Sequence, residues 1–241
     1  RGRLATSAGD NRPLPTIVEI AEAGGYRTGL VSTASITDAT PSAFAAHISF
    51  RLCQGPDLMV DIVYSDIPLG GCPDETKAAG GLGSVAEQLA ASDVDVLLGG
   101  GNTYFDMTAE GSDSSVKEIA TDNGFTFVSS ASALTAATSA DRVLGLFSDD
   151  TMPVRLQGED GRRAEAPEPS WLNQAHRYLG SVTQPEPMDC EANPEFSGMP
   201  SLKQMTDAAL AILPEDGSPG FFLMIESASI DKQSHERKPC G

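Results

Sequence analysis

The sequence contains little lysine and no long apolar run. Five of its sixteen basic residues are lysine, against 34 Asp and Glu, and the formal net charge is −18. Like charges repel, so this balance argues against a nucleic-acid backbone or an anionic membrane as a partner. No stretch approaches the ~18–20 apolar residues of a membrane span, and no signal peptide is visible. The 241 residues are 40% hydrophobic, which indicates a globular protein with a buried core.

Several common cofactor motifs are also missing. The four cysteines form no CxxC pair, so neither a zinc ribbon nor a thioredoxin-type motif is indicated. The glycines at 99–101 lack both the GxGxxG pattern and the Lys-Ser/Thr of a P-loop, and we interpret them as a tight strand exit. Four cysteines in an acidic chain are compatible with two disulfides in an oxidising compartment or with four buried thiols.

Helices and short apolar strands alternate along the chain. Apolar spacing and capping signals predict helices at 16–22, from Thr40-Pro41 through Ile48, and at 84–91, 116–121 and 202–213. Unbroken apolar runs predict strands at 28–32, 94–98, 126–128, 143–147 and 221–225. This order is typical of an α/β fold with a mostly parallel central sheet covered by helices on both faces. Residues 54–83 and 149–200 break the rhythm and are predicted to be excursions from the sheet edge.

Polar residues follow two of the predicted strands. Glu226 comes directly after the run FFLMI, and Asp38 and Thr40 follow the strand at 28–32. Open α/β sheets bind their ligands at the carboxyl ends of the strands. Oxygen ligands of this kind suit a hard cation such as Mg²⁺. The alternative is that Asp38 and Thr40 are ordinary turn and capping residues, with Thr40 as the N-cap.

The remaining candidates are ambiguous on spacing alone. Asp231 and His235 are four residues apart, so on a helix they share one face and could form part of a zinc site. A solvated helix start, with Asp231 near the positive end of the dipole, explains the same spacing. Arg51 could clamp phosphate or pair with a surface carboxylate. For His47 and His176, which lack a partner at helical spacing, we expect core or surface roles.

Taken together, these stretches resemble the alkaline phosphatase family, in its bacterial form. VSTASITDATPSAFAAHISFR resembles the block that ends in the family's phosphate-binding arginine, and FFLMIESASIDKQSHERKPCG resembles its metal-binding block. DVLLGGGNTYF, LGLFSDDTMPVR and SLKQMTDAAL resemble further blocks in the same order. Because the blocks run from Pro15 to Gly241, the resemblance implies a partial alkaline phosphatase domain over residues 1–241.

The resemblance implies a metal role for five residues. Asp38, Thr40 and Glu226 fall on positions that bind magnesium in the family. Asp231 and His235 fall on two ligands of the first of two zinc ions. The expected cofactors are therefore Zn²⁺ and Mg²⁺.

The resemblance also implies substrate contacts and disulfides. Arg51 falls on the arginine that grips phosphate, and Lys232 on a lysine that contacts phosphate through water in some bacterial members. The implied disulfides are Cys53–Cys72 and Cys190–Cys240.

The implied activity is hydrolysis of phosphate monoesters through a phosphoserine, in a periplasmic or secreted homodimer. The family's Asp-Ser-Ala-like nucleophile motif, the later Asp-His pair and the final histidine are not found in these residues. We therefore expect the sequence to be an internal piece of the enzyme, inactive by itself. Two alternatives stay open: a non-catalytic variant that binds metal or a partner, and a superfamily relative that acts on phosphodiesters or sulfate esters.

Overall fold

The structure is a computed structural model that describes residues 2–64, 66–175, 179–214 and 217–241. Its helices are α1 (Ile17–Ala23), α2 (Ala39–Ser42), α3 (Val85–Ala91), α4 (Asn102–Asp106), α5 (Val116–Asp122), α6 (Ala131–Ala136), α7 (Trp171–Ala175), α8 (Leu202–Ile212) and α9 (Ser229–His235). Its strands are β1 (Arg27–Ser35), β2 (Ile62–Tyr64), β3 (Ile67–Gly70), β4 (Val96–Gly100), β5 (Thr126–Val128), β6 (Val143–Leu146), β7 (Leu156–Gly158), β8 (Glu168–Pro169), β9 (Val182–Thr183), β10 (Cys190–Ala192) and β11 (Phe221–Glu226).

The chain divides into two compact units. The first unit comprises Arg1–Met152 and Gly198–Ser227, and the second comprises Pro153–Ser197 and Ala228–Gly241. The first unit contains the main sheet and the β2–β3 hairpin. The second contains the antiparallel pairs β7–β10 and β8–β9, together with α7 and α9. Among the described residues, no helix is long and apolar enough to cross a membrane.

The main sheet of the first unit is parallel. In the described part of the chain its five strands lie in the order β11-β1-β4-β6-β5. Ser32 near the end of β1 lies opposite Glu226, the last residue of β11. Parallel strands point the same way, so their carboxyl ends share one edge of the sheet. The predicted α/β class is confirmed, and the predicted strands recur with small shifts at their ends.

Apolar side chains cover both faces of this sheet. Successive strand residues enter different core clusters: Leu30 and Leu97 join the cluster under α1, α3 and α5. Val31 and Leu98 join the cluster under α6 and α8. This alternation follows from the period of two along a strand. It explains why consecutive residues of these strands are apolar, since helices bury both faces.

In the described part of the chain, capping boxes define the starts of four helices. In each, a Ser or Thr hydroxyl accepts from the backbone N–H three residues on, and the side chain there accepts in return. The pairs are Thr16 with Glu19, Ser84 with Glu87, Ser115 with Glu118, and Ser201 with Gln204. Each such cap typically contributes about 1 kcal/mol. These starts depend on local sequence, so the sequence predicted them well.

The helix predicted to open at Thr40 differs from expectation. Its N-cap is Asp38, whose carboxylate accepts from Ala39 N at 2.7 Å, and the helix ends at Ser42. The prediction of Thr40 as N-cap and of a helix through Ile48 was therefore wrong. The reason is tertiary: Ile48 N donates to Leu4 O at 3.0 Å, so this amide bonds another segment instead of the helix.

Candidate functional site

A buried hydroxyl orients Glu226 at the end of β11. Ser32 is fully buried on the neighbouring strand β1, and its Oγ donates to Glu226 Oε2 at 2.6 Å. The same Oγ accepts from Ala34 N at 2.9 Å. The hydroxyl is thus held by the backbone on one side and holds the carboxylate on the other. Glu226 is a carboxylate of fixed orientation at the carboxyl edge of the sheet.

Asp38 and Arg51 form an ion pair beyond the end of β1. Arg51 Nη2 lies 2.5 Å from Asp38 Oδ1, with 43% and 18% of the two side chains exposed. Helix α2, which Asp38 caps, packs against both β1 and β11, so Asp38 and Glu226 belong to adjoining elements. Thr40 lies in α2 and is exposed. The structure therefore brings a guanidinium next to a predicted metal ligand.

Buried hydrogen bonds fix the loop that carries Asp38. Ser35 Oγ and Thr37 Oγ1 lie 2.7 Å apart, and Thr37 Oγ1 donates to Gln54 Oε1 at 2.7 Å. The backbone of Gly101 approaches this loop closely, because a Cβ built there would lie 2.2 Å from Ser35 Oγ. Gly101 also has a φ of 100°, which favours glycine. The glycines at 99–101 thus form the tight strand exit that was predicted.

Tyr104 is a further residue at this edge. Burial raises its pKa to about 12, and the negative charges of Asp150 and Asp38 act in the same direction. Its phenol therefore stays protonated, and able to donate a hydrogen bond, even at alkaline pH. Neither Tyr104 nor Ser32 was singled out from the sequence. For Tyr104 a signal existed, since it follows closely on a strand that ends at the ligand-binding edge.

The donors at the sheet edge fit magnesium in their chemistry. Asp38, Thr40 and Glu226 offer carboxylate and hydroxyl oxygens, which is the set a hard cation takes. Ser32 orients the Glu226 carboxylate in the manner of an outer-shell partner of a metal ligand. These residues could hold Mg²⁺.

Helix α9 carries the zinc candidates in the second unit. His235 Nε2 lies 3.5 Å from Asp231 Oδ1 across one helical turn, and both side chains are 80% exposed. Lys232 lies beside Asp231 on the same helix and is partly buried. An imidazole and a carboxylate fit zinc as two of its usual four ligands. In the described ranges, His, Cys, Asp and Glu side chains form no group of three or more that could hold a metal ion.

The other two histidines lie elsewhere. His47 is buried, and its ring nitrogens lie 2.9 Å from Ala5 O and from Glu19 Oε1. Its acidic partner comes from α1, 28 positions earlier, which helical spacing could not reveal. His47 therefore has the first of the two roles that were expected, in the core. His176 lies outside the described residues.

All four cysteines form disulfides, with the pairing that the resemblance implied. Cys53–Cys72 lies in the first unit and links residues 19 apart. Cys190–Cys240 lies in the second unit and links residues 50 apart. The alternative of four buried thiols is thereby excluded.

Sequence comparison matches this chain to known phosphatases. A family model for alkaline phosphatase matches residues 2–241. The alkaline phosphatase of Escherichia coli strain K12 is 39% identical, covering 94% of this chain and 44% of its own length. The streptomycin-6-phosphate phosphatase of Streptomyces griseus is 37% identical, covering 100% of this chain and 49% of its own length. The chain spans about half the length of the curated relatives it matches.

Solved structures show the same fold. A cold-active alkaline phosphatase from a psychrophilic Shewanella sp. superposes with a TM-score of 0.59 at 24% identity, covering 98% of this chain and 40% of that protein. The alkaline phosphatase of the Antarctic bacterium TAB5 has the same score and identity, covering 98% of this chain and 49% of that protein. Since the family model matches nearly every residue, the chain belongs to the alkaline phosphatase family.

Proposed function

We propose that the protein containing this chain hydrolyses phosphate monoesters through a phosphoserine intermediate, at a site with two zinc ions and one magnesium ion. The observation that carries the proposal is the 2.5 Å contact between Arg51 Nη2 and Asp38 Oδ1 beside the strand that ends in Glu226. The Arg51 guanidinium, which suits phosphate, thus lies next to the Asp38 carboxylate, which suits a metal. Family membership makes phosphate the natural ligand of that cation.

Arg51 is proposed to bind two non-bridging oxygens of the phosphoryl group. The planar guanidinium presents parallel N–H donors that match this geometry, which orients phosphorus for in-line attack. Lys232 is proposed to add positive charge through a bridging water. An ammonium is a compact, strongly hydrated point charge and suits such a contact.

Five residues are proposed as metal ligands. Asp38, Thr40 and Glu226 would hold Mg²⁺, while Asp231 and His235 would hold one of the two zinc ions. Bound zinc supplies Lewis-acid stabilisation of oxygen anions and lowers the pKa of a coordinated hydroxyl or water. Ser32 would keep the Glu226 carboxylate in its orientation through the 2.6 Å hydrogen bond.

The wider setting is also proposed. Two disulfides support an oxidising compartment, so we propose a periplasmic or secreted protein that acts as a homodimer on small phosphate monoesters. We propose that residues 1–241 are part of one alkaline phosphatase domain. Within it, residues 54–83 and 149–200 would be excursions from the sheet edge.

The test is turnover of p-nitrophenyl phosphate by the protein as its gene encodes it, supplied with Zn²⁺ and Mg²⁺ at alkaline pH. Arg51→Ala is expected to lower kcat/KM by roughly 10²- to 10³-fold, the usual cost of losing one transition-state donor. Arg12→Ala is the matched control, because Arg12 is 73% exposed and lies 3.9 Å from its acidic partner. Turnover that Arg51→Ala leaves unchanged would contradict the proposal.

The same protein tests the two alternative functions. Bis-p-nitrophenyl phosphate and p-nitrophenyl sulfate report diesterase and sulfatase activity, and we expect both to be poorer substrates than the monoester. A higher kcat/KM for either would replace the proposed substrate class. Metal binding without turnover of any of the three esters would support the non-catalytic variant instead.

A further inference from the structure

The N-terminal segment is fixed against the segment that carries Arg51. Leu4 N donates to Ile48 O at 2.9 Å and Ile48 N donates to Leu4 O at 3.0 Å, while Arg51 N donates to Gly2 O at 2.8 Å. The side chains of Leu4 and Ile48 are both buried in the core. Backbone bonds and buried side chains thus hold the two segments at a set distance.

The Arg51 side chain occupies the space that a side chain at Gly2 would need. A Cβ built on Gly2 would lie 2.7 Å from Arg51 Cδ and 3.1 Å from Arg51 Cγ. Carbon atoms in contact are normally ~3.5–4.0 Å apart. One of the two groups would therefore have to move.

If residue 2 had a side chain, Arg51 would be the group that moves. The backbone of Gly2 accepts a hydrogen bond and is followed closely by the buried Leu4, whereas 43% of the Arg51 side chain is exposed. A displaced stem carries the guanidinium with it. The contact with Asp38 would then be lost, and the fork would point in another direction.

We infer that Gly2 is a positioning residue for Arg51: because it has no side chain, the Arg51 stem lies against the Gly2 backbone and the guanidinium reaches Asp38 at the sheet edge. This inference rests on the proposed function, in which Arg51 binds phosphate. It adds to that function a residue with no polar side chain of its own. Its contribution is to leave room for the Arg51 stem.

The first measurement is binding of inorganic phosphate to the Gly2→Ala variant by isothermal titration calorimetry. The protein is used as its gene encodes it, loaded with Zn²⁺ and Mg²⁺. We expect the Kd for phosphate to rise roughly 5- to 10-fold, since a misdirected guanidinium keeps its charge but loses bidentate geometry. Gly9→Ala is the matched control in the same segment, because no described atom lies within 4 Å of a Cβ built there. It is expected to bind phosphate as the wild type does.

The second measurement separates positioning from a general loss of structure. In an Arg51→Ala background, Gly2→Ala should weaken phosphate binding no further, because the stem that it displaces is absent. A merely structural role would weaken binding equally in both backgrounds and lower the unfolding temperature, and that result would overturn the inference. Wild-type affinity in Gly2→Ala would also overturn it.

The proposed function can fail separately. If Arg51→Ala binds phosphate like the wild type, the proposed role of Arg51 fails, and the inference fails with it. If Arg51→Ala weakens phosphate binding while Gly2→Ala has no effect, the proposed role stands and the inference alone is wrong.

Discussion

The two units hold their candidate ligands in different ways. In the first unit, Glu226 ends a strand of the parallel sheet and Asp38 caps a helix that packs on it, and buried clusters cover both faces of the sheet. Ser32 and Arg51 orient the two carboxylates. In the second unit, Asp231 and His235 project from α9 with 80% of each side chain exposed.

The interior of the second unit differs as well. In its described part, Ala228 is the one buried hydrophobic residue. The unit is held by the Cys190–Cys240 disulfide and by ion pairs such as those of Arg162 with Glu159 and Glu165. A segment with so little apolar burial depends on its covalent link.

This difference shows what orients the candidate ligand side chains in each unit. Outer-shell hydrogen bonds orient a metal ligand before the metal arrives. The first unit has such bonds for its carboxylates, so its candidate ligands are prearranged. For the exposed pair on α9, the bound metal itself would have to fix the orientation of the side chains.

The largest expected effect is loss of the second unit's disulfide. Replacing Cys190 and Cys240 together by Ser should lower the free energy of unfolding by about 4 kcal/mol, because the disulfide joins residues 50 apart and closes a long loop. We expect hydrogen exchange in β7 and β10 to become fast while the main sheet stays protected. Mass spectrometry of exchanged peptides measures both regions in one sample.

The disulfide of the first unit is the matched control. Replacing Cys53 and Cys72 by Ser removes a link of 19 residues and should cost about 3 kcal/mol, without exposing β7 and β10 to exchange. Unchanged protection of β7 and β10 in the Cys190/Cys240 variant would show that the second unit does not depend on its covalent link.

Ligand variants test whether the two groups bind different metals. Glu226→Gln should lower affinity for Mg²⁺ by at least roughly 10- to 100-fold and leave zinc binding intact. His235→Ala should do the reverse, since an imidazole suits zinc and not magnesium. Equilibrium dialysis with metal analysis measures the binding of both ions. Equal loss of both ions in either variant would contradict the assignment of Glu226 to magnesium and His235 to zinc.

Glu87→Gln tests the buried polar groups of the first unit. The Glu87 side chain is 1% exposed, ion-paired with Lys77 at 2.9 Å, and accepts from Ser84 Oγ at 2.7 Å and from Glu110 N at 2.9 Å. Burial raises its pKa, but the hydrogen bonds from Ser84, Lys77 and Glu110 lower it more, so the net shift is below the ordinary 4.5. We expect a loss of roughly 1–3 kcal/mol at pH 7.

The pH dependence of this variant has a defined sign. A folded pKa below the unfolded value contributes stability above the unfolded pKa, and that stability is lost as pH falls through the folded pKa. The difference between wild type and Glu87→Gln in urea unfolding should therefore shrink below about pH 4.5. The control is Asp122→Asn at the exposed end of α5. An unchanged difference down to pH 3 would contradict the expected sign.

The smallest expected effect comes from Ser32→Ala. Removing the hydroxyl should lower Mg²⁺ affinity about tenfold, because Glu226 loses the bond that orients it. Ser129→Ala is the control, since this exposed serine follows β5 at the same sheet edge. If Ser32→Ala and Ser129→Ala bind Mg²⁺ with the same affinity, the hydrogen bond that orients Glu226 contributes nothing to Mg²⁺ binding.

Helix starts and helix contacts illustrate what local sequence can predict. The capping box of α8 lies within four consecutive residues, Ser201 to Gln204, so the predicted start was accurate. The failure of the predicted helix to include Ile48 reflects the bond between Ile48 and Leu4, which are 44 positions apart. The sequence pattern around Thr40 contains no trace of that partner.

The sequence by itself determined the types of most elements, the α/β class and the oxygen, nitrogen and sulfur donors available for a site. These follow from residue periodicity, capping chemistry and side-chain identity, all of which are local properties. Only the tertiary structure decided that Ser32 orients Glu226 across 194 positions and that Arg51 adjoins Asp38. Such neighbours depend on the pairing of β11 with β1 and on the packing of α2 across both strands, and no local pattern encodes either contact.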